Sequence, residues 1–183
     1  MNENDAELEQ LRYPVGRFAA PAAVAPAQVA AWIGEIERLP AELRAAVSPL
    51  TPAQLETPYR PGGWRVRQVV HHLADSHLNG FVRFKWALTE ERPTIKPYFE
   101  ARWAELPDCA QAPAETSLRL LEALHERWVF LLRGLSAPDL QREFVHPESG
   151  VVRLDVNVGL YAWHGRHHLA HVTRLAEREG WTS

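Results

Sequence analysis

Apolar residues recur every three or four positions in four long stretches of the chain, and this spacing predicts amphipathic helices. The first stretch begins at Pro26, which suits a first helical turn, and Pro40 predicts a kink or a break within it. The other three run from about Arg65 to Thr89, from about Ala114 to Gly134, and from Asp155 to Gly180. Four long helices with little strand content predict an all-α fold, a four-helix bundle.

Two segments depart from the helical pattern. Prolines and Ala-Pro steps near the start of the chain disfavour a helix, so residues 1–25 are predicted to form an extended N-terminal arm. Between Glu143 and Asp155 a Pro-Glu-Ser-Gly turn predicts a small hairpin-like excursion before the last helix. Because 183 residues suffice for one hydrophobic core but are few for two, residues 26–183 are expected to form a single domain.

Composition and charge narrow the expected partners. Hydrophobic residues make up 46% of the chain and charged residues 23%, which are ordinary values for a folded protein. A net charge of -3 argues against binding to nucleic acid or to an anionic membrane surface. The first residues are acidic, unlike a signal peptide, and no stretch has the roughly 18 uninterrupted apolar residues of a membrane span. We therefore expect a cytoplasmic protein.

Histidine is the residue type that points to chemistry. Cys109 is the only cysteine, so a metal would be held by histidine and oxygen ligands. Histidines 164, 167, 168 and 171 fall within an arc of about 100° on the last predicted helix and share one face. Imidazoles four residues apart can converge on one ion, and the spacing permits two such pairs, His164 with His168 and His167 with His171.

A third ligand is expected from another helix. The predicted helix from Arg65 offers His71, His72 and His77. Three protein ligands leave a coordination position open, as in catalytic sites, and such a metal can lower the pKa of a bound water or thiol. An isolated histidine on an amphipathic helix is more often a hydrogen-bonded core residue, and this interpretation applies to His125 and His146.

Several longer motifs carry a family resemblance. They are Arg12–Gly16, Thr57–His77, Arg83–Lys85, Leu88–Glu90 and Leu160–His171. In these motifs the sequence resembles the DinB/YfiT-like family of metal-binding four-helix proteins, and most closely its YfiT branch.

The resemblance selects among the candidate ligands. In the family, the first metal histidine lies eight residues after the tryptophan that precedes the second helix, which corresponds to His72 here. The other two ligands form a His-x-x-x-His pair on the last helix, which corresponds to His164 and His168. His71, His167 and His171 then become candidates for the pocket or for hydrogen bonding to the ligands, and a solvated helix surface is the alternative for these three.

The same resemblance implies a metal-dependent enzyme. Members of the family are described as candidate metal-dependent hydrolases, and others resemble or include S-transferases that use bacillithiol, mycothiol or glutathione. It implies one divalent transition metal per chain, together with a small-molecule substrate, a bacillithiol-type thiol cofactor and a homodimer. Zinc and nickel are the expected metals, because both suit imidazole ligands.

Three functional hypotheses follow. The first is a thiol S-transferase of the bacillithiol type, in which the metal holds the cofactor thiol as a thiolate. The second is a hydrolase that uses metal-bound hydroxide, and the third is a noncatalytic metal-binding stress protein. The sequence identifies no catalytic residue: it lacks the His-Glu-x-x-His motif, and Asp75, although it could lie near the site, is more typical of a solvated or capping carboxylate.

Overall fold

The computed structural model of the chain describes residues 3–181. Its elements in chain order are α1 (Glu3–Arg12), α2 (Pro26–Val47), α3 (Pro52–Leu55), α4 (Val66–Thr89), α5 (Glu100–Trp103), α6 (Pro107–Gln111), α7 (Ala114–Arg133), α8 (Ala137–Leu140), β1 (Glu143–His146), β2 (Gly150–Arg153) and α9 (Leu154–Arg178). The four longest, α2, α4, α7 and α9, are the four predicted helices. The prediction of an all-α four-helix fold is confirmed.

The four long helices bury their apolar faces against one another. Helix α2 packs on α7 and α9, and α4 packs on the same two helices. The core consists of two clusters, and each draws residues from all four helices. On α4, His77 lies between Leu73 of one cluster and Phe81 of the other, and His72 adjoins Leu73. On α9, the four histidines lie between Ala162 and Val172, which belong to different clusters. His77 and the histidines of α9 therefore lie at the level where the two apolar clusters meet.

Helix α2 is continuous through the proline that predicts a kink or a break. Pro40 lies inside α2, and the helix runs from Pro26 to Val47 without interruption. A proline lacks the N–H that would bond to the carbonyl four residues earlier. The Ile36 carbonyl accepts a hydrogen bond from His125 Nδ1 on α7 instead, at 2.6 Å. The predicted break is wrong, since core residues of α2 before and after Pro40 pack with residues of α7 and α9.

The N-terminal arm is only partly extended. Glu3–Arg12 form α1, and residues 13–25 are free of regular secondary structure. The prediction of an extended segment over residues 1–25 is therefore wrong for α1. Its sequence is rich in Glu, Leu and Gln, which favour a helix, and the first helix-breaking residues are Pro14 and Gly16. Residues 1–2 of the predicted arm and 182–183 of the predicted domain lie outside the described residues.

The excursion before the last helix is a β-hairpin, as predicted. Strands β1 and β2 are antiparallel, with Glu143 opposite Arg153 and His146 opposite Gly150. Gly150 has a φ of +82°, a conformation that favours glycine, and it opens β2 directly after the turn. Strand β2 leads straight into α9, so the hairpin fixes the point at which the histidine-bearing helix begins.

No helix within residues 3–181 is both long enough and apolar enough to cross a membrane.

Candidate metal centre

Helix α4 contributes His72, whose ring is held by the preceding loop. That loop closes with a backbone hydrogen bond of 3.1 Å from the Tyr59 N–H to the Trp64 carbonyl. Gly62 supplies the positive φ, +64°, that the turn requires. The Trp64 ring packs on His72 with 4.5 Å between ring centroids. His72 is consequently buried, with 6% of its surface exposed.

Helix α9 contributes His164 and His168 from successive turns. The Nε2 atoms of His72 and His164 lie 3.2 Å apart, and the His168 ring centroid lies 4.6 Å from that of His72. One nitrogen from each of the three residues lies within 4.8 Å of the other two. Two nitrogens bound to one zinc-sized ion at about 2.0–2.1 Å lie about 3.3 Å apart at a tetrahedral angle. The spacing of His72 and His164 therefore fits a shared ion.

Two glycines allow the helices to approach closely at this level. A Cβ atom at Gly80 on α4 would collide with the Tyr161 ring on α9. A Cβ atom at Gly165 on α9 would lie 2.6 Å from Leu39 Cδ2 on α2. Side chains at either position would push α9 away from its neighbours, and so separate His164 from His72.

His167, His168 and His171 form a second convergent group, also within 4.8 Å. His171 Nε2 lies 3.2 Å from the Arg12 carbonyl, which can only accept, so this nitrogen is a donor. A neutral His171 then accepts through Nδ1, which lies 3.3 Å from His168 Nδ1. The proton on His168 is thereby assigned to Nδ1, and the Nε2 lone pair is left for the first group. The Nδ1 atom of His167 is buried and has no hydrogen-bond partner among the described residues.

His71 binds neighbouring elements of the protein. Its Nε2 donates to the Ala112 carbonyl over 3.1 Å, and its Nδ1 lies 2.7 Å from Ser117 Oγ on α7. His71, His167 and His171 are 5%, 7% and 4% exposed, so the alternative of a solvated helix surface is wrong for all three.

Two further histidines extend inward from the group of His72, His164 and His168. His77, one of the three candidates on α4, is fully buried, and its Nε2 lies 3.2 Å from His164 Nδ1. Its Nδ1 lies 2.8 Å from His125 Nε2 on α7. The sequence predicts an isolated core histidine at His125 and misses this contact. The available signal is its position on the apolar stripe of α7, between Leu124 and Trp128.

Among the described residues, the Asp75 carboxylate is hydrogen-bonded to Cys109 and to no histidine. The Cys109 thiol donates to Asp75 Oδ2 over 3.4 Å. Burial raises the pKa of Asp75, and burial together with the charge of Asp75 raises the pKa of Cys109 to about 12. Cys109 is therefore a protonated thiol at neutral pH.

Burial keeps the converging imidazoles neutral. Desolvation, with a smaller contribution from His167, lowers the pKa of His72 to about 4. Desolvation, reinforced by neighbouring histidines, holds the pKa of His164 and of His168 well below the ordinary value. Neutral imidazole is the form that binds a metal. The group can therefore present three uncharged ligands to a dication at pH 7.

The fold and these histidines define the class of the protein. The sequence profile of the DinB superfamily matches residues 35–172, which contain both histidine groups. The chain belongs to the DinB superfamily. The predicted resemblance is confirmed.

Individual relatives align over nearly the whole chain. The solved structure described as "YfiT from Bacillus subtilis is a probable metal-dependent hydrolase with an unusual four-helix bundle topology" matches with a TM-score of 0.93 and 48% identity, covering 94% of this chain and 99% of that one. A Bacillus cereus ATCC 10987 protein named "Putative metal-dependent hydrolase" is 55% identical over 174 residues, 95% of this chain and 100% of its own. A similarly named protein of Bacillus mycoides KBAB4 is 54% identical over the same shares.

Proposed function

We propose that this chain is a metal-dependent enzyme that holds one divalent transition metal, zinc or nickel, through His72, His164 and His168. The observation that carries the proposal is the 3.2 Å separation of the His72 and His164 Nε2 atoms beside the His168 ring. The names of the relatives support metal dependence. Imidazole ligands suit both zinc and nickel.

The hydrogen bonds favour a metal at His72, His164 and His168 over a metal at the second convergent group. Both ring nitrogens of His171 and the Nδ1 of His168 already have partners inside the protein. An ion at His167, His168 and His171 would have to displace these bonds. The Nε2 atoms of His72 and His164 face only each other, and an ion between them would sacrifice no bond to a third group.

The site is suited to an anionic ligand. Three neutral imidazoles contribute no charge, so the whole charge of a dication would act on an exogenous ligand. When bound, the ion supplies Lewis acidity that favours the deprotonated form of a thiol or of water. Trp64 lies over His72 and stacks on His168 at 6.1 Å between centroids, which shields this side of the site from water.

Transfer of a low-molecular-weight thiol of the bacillithiol type is the reaction we favour. Metal-dependent hydrolysis commonly uses a carboxylate base beside the metal, and the two convergent groups within residues 3–181 contain no carboxylate. Asp75 is engaged by Cys109. Cys109 is itself protonated, so the thiolate would come from a separate cofactor. The names of the relatives favour hydrolysis, which we retain as the alternative, and the noncatalytic metal-binding protein is the third outcome.

Elemental analysis of the purified protein is the first test. About one metal ion per chain is expected, with loss of the ion in His72→Ala and in His168→Ala. His146→Ala is the matched control, because His146 belongs to neither convergent group, and it should keep the ion. Retention of the full metal content in either ligand variant would show that the ligands are different.

Assays on the metal-loaded form then separate the reactions. Conjugation of bacillithiol to an electrophile, lost in His72→Ala, supports the transferase. Cleavage of esters or amides without thiol conjugation supports the hydrolase. Tight metal binding with neither activity supports the noncatalytic protein.

A further inference from the structure

Three imidazoles form a continuous line from the candidate site into the core of the bundle. His164 Nδ1 lies 3.2 Å from His77 Nε2, and His77 Nδ1 lies 2.8 Å from His125 Nε2. The line ends at the Ile36 carbonyl, 2.6 Å from His125 Nδ1. It crosses three of the four long helices, α9, α4 and α7, and terminates on the fourth, α2.

The carbonyl at the end determines the direction of every hydrogen bond in the line. A carbonyl oxygen can only accept, so His125 carries its proton on Nδ1. A neutral His125 then accepts through Nε2, and His77 must donate from Nδ1. By the same step His77 accepts through Nε2, and His164 donates from Nδ1. The Nε2 lone pair of His164 is left facing His72.

The neutral form of the line follows from its surroundings. His77 is 0% exposed and His125 is 1% exposed, and a buried cation without a counter-charge is strongly disfavoured. Their hydrogen-bond partners within the described chain are imidazoles and the Ile36 carbonyl, none of them a carboxylate. The Trp128 ring meets both edge-on, at 5.8 Å from His77 and 6.1 Å from His125 between centroids, and helps to exclude water.

Pro40 explains why the Ile36 carbonyl is available. With any residue other than proline at position 40, the amide of that residue would donate to the carbonyl of residue 36. Pro40 has no N–H, so α2 leaves this acceptor unused and directed at α7.

We propose that His77 and His125, anchored on the Ile36 carbonyl that Pro40 leaves free, are positioning residues that fix the tautomer of His164 with its proton on Nδ1 and its Nε2 lone pair directed at the metal site. The proposal rests on the proposed function for the identity of the ligand. It assigns His77 to hydrogen bonding and removes it from the set of candidate ligands. Hydrogen-bonded partners of this kind orient metal-binding imidazoles and raise their affinity for the ion.

The direct test needs neither metal nor activity. In metal-free protein labelled with ¹⁵N-histidine at neutral pH, the imidazole nitrogen shifts should show His125, His77 and His164 all protonated on Nδ1. A proton on His164 Nε2 would overturn the proposal. The outcome is independent of the proposed function, because the line of hydrogen bonds exists without the ion.

Two variants of His77 test the effect on binding. His77→Phe fills a similar volume but cannot accept from His164 Nδ1, and it should weaken metal binding by about 10- to 100-fold in a chelator competition. His77→Gln retains an acceptor and should recover most of the loss. Equal affinity in wild type and in both variants would overturn the proposal.

Phe84→Leu is the matched control for general damage to the core. Phe84 is fully buried and packs on Trp128 at 5.5 Å, but it takes no part in the line. The Phe84→Leu variant should be less stable than the wild type but should bind the metal equally well. If Phe84→Leu lost as much metal affinity as His77→Phe, His77 would act only through packing. If His77→Phe does not fold, the tautomers of the wild-type protein still decide the question. Absence of metal binding in the wild type would defeat the proposed function and leave the tautomer assignment standing.

Discussion

His164 and His168 lie one turn apart on α9, yet they are supported from different parts of the molecule. His164 is hydrogen-bonded into a line that ends on α2, inside the bundle. His168 is hydrogen-bonded to His171, which ends on the carbonyl of Arg12 at the end of α1. In both cases a backbone carbonyl orients an imidazole. We call the line from His164 to the Ile36 carbonyl the core support, and the link from His168 to the Arg12 carbonyl the peripheral support. One site can therefore depend on two regions of unequal stability.

The peripheral support depends on how firmly the N-terminal arm is seated. Trp163 Nε1 donates to the Gly16 carbonyl over 3.1 Å, and the Phe18 ring lies 6.1 Å from the Trp163 ring between centroids. The side chains of α1 whose burial is described are all half-buried or exposed. A terminal segment held by few buried contacts opens at a lower free energy than the core. The His168 side of the site is therefore expected to be the more mobile one.

Lowering the pH should produce the largest of the expected effects, a loss of folding stability that arises in the core support. Desolvation lowers the pKa of His125 to about 4, below the unfolded value of about 6.5. Between these two values the unfolded state binds a proton that the native state excludes. The contribution of His125 to the free energy of unfolding is therefore complete above pH 6.5 and is lost as the pH falls toward 4. The limiting slope for one such group is about 1.4 kcal/mol per pH unit.

Urea unfolding of metal-free protein between pH 7.5 and 4.5 measures this effect. His125→Gln should be less stable than the wild type at pH 7.5, and the gap in unfolding free energy should close as the pH falls. A gap that stays constant across this range would contradict the assignment of His125 as a buried neutral imidazole.

Removing α1 should weaken the peripheral support alone. Deletion of residues 1–12 eliminates the Arg12 carbonyl that orients His171 and, through it, His168. We expect metal affinity to fall by about 10-fold, at the low end for loss of such a partner. The ¹⁵N shifts of His164 should not change. Unchanged affinity, or a shift in His164, would break the distinction between the two supports.

Pro40→Ala should have a smaller effect, in which stability rises while metal affinity falls. The alanine restores the N–H that α2 lacks, and one additional helix hydrogen bond should stabilise the fold by about 1 kcal/mol. The new bond competes with His125 for the Ile36 carbonyl, so metal affinity should fall, but by less than in His77→Phe. Calorimetry and chelator competition measure the two effects, and a rise in both quantities would contradict the role given to Pro40.

Arg44→Met should have the smallest effect and serves as a reference. Arg44 on α2 forms ion pairs with Glu115 at 2.7 Å and Glu122 at 2.6 Å on α7, and all three side chains are partly solvated. Such surface pairs add little to stability. Thermal unfolding should barely change and metal affinity should not change at all; a loss of affinity would mean that the site responds to any disturbance between α2 and α7.

Local patterns in the sequence are sufficient to predict most of the fold. The apolar spacing predicts α4 to within one residue, because burial on one face imposes it directly. The helix α1 is missed because Pro14 and the residues after it dominate the interpretation of the whole arm. The break at Pro40 is predicted from backbone propensity alone, and packing from α7 and α9 overrides that propensity.

The candidate site is predictable only where its residues share a helix. His164 and His168 follow from their spacing as one of two candidate pairs, while the choice of that pair and the selection of His72 require the family resemblance. The contact of His77 with His125 joins residues 48 positions apart, and nothing in either local sequence specifies the register of α4 on α7. The ligand set itself stays a prediction until metal content is measured.

The carbonyl that Pro40 leaves free also bears on protein design. The interior of a helical bundle offers buried donors almost no fixed acceptors, because each helix consumes its own carbonyls. A proline placed four residues after a core-facing carbonyl creates one acceptor at a known height and direction without adding a polar side chain. A histidine on the neighbouring helix can then be oriented by backbone alone, as His125 is by Ile36. Buried imidazole networks could be built outward from such a point.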